Sequence, residues 1–132
     1  MIYLDSSALI TFTVERKNWK QLKQFFSAHR EVRTCTSPVG FVETVRICDE
    51  IGTYPDLMAS LARDHAQISL GDEIRNGAAA LPGKIRYLDA IHVASAQILG
   101  SELTALVTYD KRVAEVARAT GLPVAMPCAG SS

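Results

Sequence analysis

An α/β fold with a parallel sheet follows from three features of the sequence. Short apolar, often β-branched runs alternate with longer stretches of helical periodicity. No hairpin signal such as Asn-Gly stands between two apolar runs, so successive strands need crossovers rather than tight turns. Asp5 and Asp110 each follow an apolar run at the place where a helix cap belongs, as strand-to-helix units require. A sheet with helices on both faces satisfies all three.

The elements read in order. Ile2-Tyr3-Leu4 is a strand that ends at Asp5-Ser6-Ser7. Residues 17–29 form a helix with Trp19, Leu22, Phe25 and Phe26 on one face and Arg16, Lys20 and Lys23 on the other. After a short run at 32–36, Ser37 as cap and Pro38 at the first helical position open a helix over 39–51, which Gly52 stops. A helix over 55–65, a strand over 67–70 and a helix over 72–81 follow. Pro82-Gly83-Lys84 breaks the chain before a helix over 87–99, closed by Gly100. Residues 105–109 are a strand of the fully buried kind, and 110–120 a helix ended by Gly121-Leu122-Pro123. Residues 124–126 make a last short strand.

A chain of 132 residues, 48% of them hydrophobic, suits one globular domain over 1–127, with 128–132 expected as a frayed tail. Lys plus Arg is 14 and Asp plus Glu is 14, which excludes a broad basic surface and leaves room for a local strip. Cys35, Cys48 and Cys128 contain no C-x-x-C pair, so a disulfide framework and a zinc knuckle are both excluded. They point to a reducing, cytoplasmic setting. The N-terminus carries an acid at position 5 and no basic leader, unlike a signal peptide. No apolar run approaches the ~18 residues of a membrane span.

Ligands of an open parallel sheet bind outside the carboxyl ends of its strands. Asp5 and Asp110 fall there. Asp89 stands in the first turn of its helix, and Glu43 lies about a turn and a half into the helix that starts at Pro38. Each has a structural alternative. Asp5 and Asp110 serve as caps worth about 1 kcal/mol, Asp89 complements a helix start, and Glu43 pairs with Arg46 for roughly a few tenths of a kcal/mol. The set of four changes the balance, because each acid adjoins apolar sequence and each comes from a different segment. Two carboxylates ~5 Å apart at an effective dielectric of ~20 repel by about 3 kcal/mol, so convergence calls for a cation. An all-oxygen set with no Cys or His pattern suits Mg²⁺ or Mn²⁺. Carboxylate-held cations that clamp attacking and leaving oxygens serve phosphodiester cleavage.

Other residues divide by setting. Lys84 and Arg86 precede Asp89 in a Gly-containing loop, and with Lys111 and Arg112 they are candidates to meet an RNA backbone. His92, one turn after Asp89, reads as a structural histidine packed beside the site. Arg16, Lys20 and Lys23 read as a solvated helix face. Trp19, Phe25 and Phe26 read as core or dimer contact.

Leu4-Asp5-Ser6-Ser7-Ala8-Leu9, the Glu43 helix, Leu88-Asp89-Ala90-Ile91-His92-Val93-Ala94 and Val107-Thr108-Tyr109-Asp110-Lys111-Arg112 resemble the PIN-domain ribonucleases. Within these, the chain is most similar to VapC-type toxins of bacterial toxin–antitoxin pairs. The resemblance spans residues 2–125 and is most specific in Leu-Asp-Ala-Ile-His. It implies a PIN-like three-layer fold with a four- to five-stranded parallel sheet. It also implies a homodimeric endoribonuclease dependent on one or two Mg²⁺ or Mn²⁺ ions and inhibited by a small antitoxin. Asp5, Glu43, Asp89 and Asp110 match the family's catalytic, metal-holding acids. Ser7 and Thr108 match hydroxyl positions that orient carboxylates or water. Hydrolysis by water would leave a 5′-phosphate and a 3′-hydroxyl, and no His pair stands out for an acid–base route through the ribose.

Two other readings compete. A receiver-like phospho-acceptor would use Asp56 with Lys111, but residues 51–55 are not a buried strand and no acidic pair follows the first strand. A catalytically silent PIN-like binding module is opposed by the presence of all four acids.

Overall fold

The computed structural model describes residues 1–129. In chain order its elements are β1 (Ile2–Leu4), α1 (Ser6–Val14), α2 (Trp19–Ala28), β2 (Thr34–Thr36), α3 (Pro38–Ile51) and α4 (Leu57–Asp64). They continue with β3 (Ala66–Gln67), α5 (Asp72–Ala79), α6 (Tyr87–Gln97), β4 (Ala105–Val107), α7 (Lys111–Ala119) and β5 (Val124–Ala125). The sheet runs β3-β2-β1-β4-β5 with every pair parallel. The chain builds outward from β1 to β3, then crosses back to the other side of β1 for β4 and β5. That reversal opens a crevice at the carboxyl ends of β1 and β4, where open α/β sheets bind ligands.

Strand periodicity divides the interior into two layers. Tyr3 points to one face, where it packs with Val93, Ala96, Leu106, Val113 and Ala117 under α6 and α7. Its neighbours Ile2 and Leu4 point to the other, against Ala8, Leu9, Leu22, Phe41 and Leu61 of the opposite helical layer. A strand covered on both faces reads as an unbroken apolar run, which is why β1 and β4 stand out in the sequence.

Several boundaries differ from the sequence reading. The strand expected over 67–70 is only Ala66–Gln67, with Ile68 N–H donating to Thr36 O as its last link. Its partner β2 gives way to Ser37-Pro38, so nothing remains to pair with. The helix expected from residue 17 begins at Trp19, because Asn18 takes a left-handed φ of 75°. Helix α1 was not delimited by periodicity, since Ser6–Val14 is apolar around most of its circumference. The helix expected over 87–99 ends at Gln97, and 3-10 geometry takes over at Gly100–Glu102. The strand expected over 105–109 ends at Val107, freeing Thr108 and Tyr109 to turn toward α7.

Ser37 stands at the cap position of α3, but its hydroxyl makes no cap bond. With Thr36 and Thr44 it is a buried hydroxyl lacking a hydrogen-bond partner among the described residues. Gly40 permits this close packing: a Cβ there would lie 1.9 Å from Thr36 Oγ1. Trp19, Phe25 and Phe26 are half-buried, the two phenylalanines against the Leu22 layer. The large apolar side chains that do face solvent include Val42, Ile51, Met58, Leu70, Tyr87 and Leu88.

Asp56 is exposed at the start of α4 rather than at a strand end, which removes the receiver-like reading's acceptor. Cys35 and Cys48 are buried free thiols. No helix among the described residues is long and apolar enough to cross a membrane. Of the tail expected at 128–132, residues 130–132 lie outside the described residues, and Ala129 N–H donates to Asn18 Oδ1 at 3.4 Å.

Candidate active site at the carboxyl edge of the sheet

Asp5 is delivered by β1 and locked by α1. It is 2% exposed. Its Oδ1 accepts from Ala8 N–H at 3.0 Å, capping α1, and from Ser7 Oγ at 2.6 Å. Its Oδ2 accepts from Thr108 Oγ1, which the carboxyl end of β4 supplies. Both hydroxyls are themselves fixed, Ser7 Oγ by Tyr109 N–H at 2.8 Å and Thr108 Oγ1 by Asp110 N–H at 3.0 Å. Burial pushes the Asp5 carboxyl above the ordinary range, against the opposing pull of His92 and of the three hydrogen bonds. Ser7 and Thr108 therefore orient this carboxylate.

Asp110 caps α7. Its Oδ1 accepts from Arg112 N–H at 2.8 Å and Val113 N–H at 3.1 Å. Asp110 shares a cavity of about 440 Å³ with Lys84, Ile85, Arg86, Asp89 and Arg112. In that cavity Arg86 Nε meets Asp89 Oδ2 at 2.9 Å. The Asp89 side chain is 8% exposed and that of Arg86 79%. The hydrogen bond and charge of Asp89, followed by the fields of Asp110 and Glu43, hold Arg86 above its ordinary value. One guanidinium thus lies within the field of three of the four acids.

Glu43 turns inward from α3. Its Oε1 accepts from Ser6 Oγ at 3.0 Å and lies 2.9 Å from His92 Nε2. Partial burial raises the Glu43 carboxyl, but His92, Ser6 and Arg86 outweigh it and leave the group below the ordinary range. His92 is fully buried, with Nδ1 2.8 Å from Tyr3 Oη. The pairing of Glu43 with Arg46 that helical spacing permits is not formed, and Arg46 is exposed.

The structure thus sets Asp89 and Asp110 on one cavity, Ser7 and Thr108 beside Asp5, and Glu43 against His92. Among the described residues, however, no group of three or more Asp, Glu, His or Cys side chains forms a cluster that could hold a metal ion. The internal partners explain this: Asp89 is held by Arg86, Glu43 by Ser6 and His92, and both Asp5 oxygens by hydroxyls. Of the basic candidates, Lys84, Arg86 and Arg112 line the cavity, and Arg112 Nη1 also donates to Lys84 O at 2.8 Å. Lys111 is exposed at the first position of α7. Sequence reasoning passed over Tyr3, which reads as core, and Ser6, hidden in the Asp-Ser-Ser run. It placed His92 beside the site without its contact to Glu43. The three-residue step from Asp89 to His92 was the available signal.

Comparison with known proteins follows the same lines. The PIN domain family model matches residues 2–119. Ribonuclease VapC35 of Mycobacterium tuberculosis is 38% identical over 135 aligned residues, covering 96% of this chain and 97% of the relative. Ribonuclease VapC46 of the same organism is 32% identical with the same coverage. Two crystal structures share the fold. M. tuberculosis VapC20, a sarcin-ricin loop cleaving toxin, superposes with a TM-score of 0.71 at 14% identity, over 92% of this chain and 96% of that one. FitAcB from Neisseria gonorrhoeae gives 0.61 at 16% identity, over 96% and 98%.

Proposed function

This chain belongs to the PIN-domain family, and we propose that the acidic carboxyl edge of its sheet hydrolyses RNA phosphodiester bonds. It is an endoribonuclease of the VapC type, the toxin of a toxin–antitoxin pair. The observation that carries the site is Asp5. A 2%-exposed carboxylate at the switch point of a parallel sheet, its oxygens fixed by Ser7, Thr108 and Ala8, is costlier than a helix cap requires.

The remaining residues divide the work. Asp5, Glu43, Asp89 and Asp110 would hold Mg²⁺ or Mn²⁺, which suits an all-oxygen donor set. When bound, the cation neutralises the charge that builds on the phosphate oxygens. A cation held by Asp89 would compete with Arg86, which occupies that carboxylate at 2.9 Å. Lys84, Arg86, Lys111 and Arg112 line the path of the RNA backbone as point and forked charges. Water is the nucleophile and the 3′-oxygen the leaving group, so the products carry a 5′-phosphate and a 3′-hydroxyl.

The partners follow from the same chemistry. A small antitoxin with a disordered tail inserts an Arg or Lys against the acids and occupies the groove. Two copies of the chain form a homodimer through exposed apolar side chains. The protein acts in the cytoplasm, where its RNA is.

Incubation with an end-labelled RNA tests the reading. Cleavage should stop in EDTA, return with Mg²⁺ or Mn²⁺, and leave ends that a ligase requiring 5′-phosphate and 3′-hydroxyl can join. Cyclic-phosphate ends, or full activity in EDTA, would overturn it.

A further inference from the structure

We propose that His92, backed by Tyr3, is a positioning residue that aims the Glu43 carboxylate into the cleavage site; this rests on the reading of Glu43 as part of that site. The three side chains come from β1, α3 and α6, and no local rule of sequence brings them together. Tyr3 Oη lies 2.8 Å from His92 Nδ1, and His92 Nε2 lies 2.9 Å from Glu43 Oε1. Tyr3 and His92 are 0% exposed, whereas Glu43 reaches the crevice with its side chain 18% exposed. The relay therefore runs from the core to the site.

Hydrogen bookkeeping fixes the contact to Glu43. An ionised carboxylate only accepts, so Nε2 carries a hydrogen and donates it to Glu43. The Tyr3 hydroxyl meets the other ring nitrogen, Nδ1, so the imidazole is gripped from behind as well as at Glu43. Ser6 Oγ donates to the same Glu43 oxygen at 3.0 Å. Both of these hydrogen bonds fall on Oε1 and leave Oε2 outside them. A glutamate has three rotatable bonds, and two donors on one oxygen remove the freedom that would blur its aim. A histidine serving only to fill the core needs no carboxylate at the site's edge.

The test is steady-state cleavage of an RNA oligonucleotide by the full chain carrying Y3F, H92Q, H92A, E43A or H92A with E43A. Assays are run where circular dichroism shows each variant folded. H92A should lower kcat by about 10- to 100-fold, the range for residues that orient a ligand or catalytic group, with KM little changed. H92Q should recover most of that loss, because its amide can donate where Nε2 did. Y3F should lower kcat more mildly. In the E43A background H92A should add nothing, since its effect runs through Glu43.

Equal losses from H92A in the parent and E43A backgrounds would overturn the positioning role, as would a change confined to KM. Normal cleavage by E43A would instead sink the reading of Glu43 on which the relay rests. If H92A does not fold, H92Q and Y3F carry the same comparison.

Discussion

Asp5 and Asp110 hold equivalent places in two strand-to-helix units, one after β1 and one after β4, and both cap the next helix through Oδ1. The surroundings of the two differ. Asp5 is almost fully buried, with hydroxyls on both oxygens, while Asp110 is half-buried and opens onto a cavity shared with Asp89 and three basic side chains. A cap needs one oxygen. The additional donors on Asp5 exist because a buried carboxylate is costly without them, and they immobilise it as they stabilise it. The inner half of the candidate site is thus held in place, and the outer half is a rim of charges open to solvent.

Changes in the inner half should have the largest effects. Thr108→Val keeps the shape but removes the donor to Asp5 and the acceptor for Asp110 N–H. Cleavage should fall by about 10- to 100-fold, and denaturant melts should show a loss of about 1–3 kcal/mol from the unpaired groups. Gly40→Ala acts one layer behind, by driving a methyl into Thr36 Oγ1. A loss of about 1–3 kcal/mol is expected from such overpacking, and a neutral result in the same melts would mean that Thr36 swings aside.

The pH dependence separates two acids of the site by sign. Asp5 has its folded pKa raised, so its contribution to stability is full below the ordinary carboxylate range and is lost as pH rises through the folded value. Glu43 has its folded pKa lowered, so its contribution is present above the ordinary range and is lost as pH falls through the folded value. Thermal melts of Asp5→Asn should therefore gain on the parent as pH rises from the carboxylate range to neutrality. Glu43→Gln should lose on it over the same interval. Parallel curves would contradict the contrast.

The rim should yield the smallest effect on stability. Arg86→Gln removes an exposed ion pair, worth about 0–1 kcal/mol after solvent screening. Its signature is elsewhere. Added Mn²⁺ should raise the melting temperature of Arg86→Gln more than that of the parent, because Asp89 no longer has a competing cation. An identical shift in both would remove Arg86 from the competition.

Much of this was readable in the sequence because strand ends and helix starts carry local punctuation. Ile2-Tyr3-Leu4 followed by Asp5, Ser37-Pro38 before α3 and Val107 before Asp110 placed two acids at the carboxyl edge. Helix α1 escaped because a segment apolar almost all round has no face to reveal. Strand β3 was overextended because its length depends on where β2 stops. The Glu43–His92–Tyr3 chain was out of reach for a related reason. His92 and Glu43 are 49 positions apart and His92 and Tyr3 are 89, so only the packing of α3 and α6 around β1 joins them. For the same reason the inward turn of Glu43, away from Arg46, could not be told from helical spacing alone.

The most direct test of the inner half is Asp5→Asn assayed for RNA cleavage at matched folded fraction. Asn retains an oxygen for the Ala8 cap and removes the charge, so the helix should persist while catalysis does not. Cleavage should drop by about a hundredfold or more with RNA binding retained. Cleavage within about twofold of the parent, a difference of under ~0.5 kcal/mol in barrier, would show that Asp5 is a helix cap and nothing more.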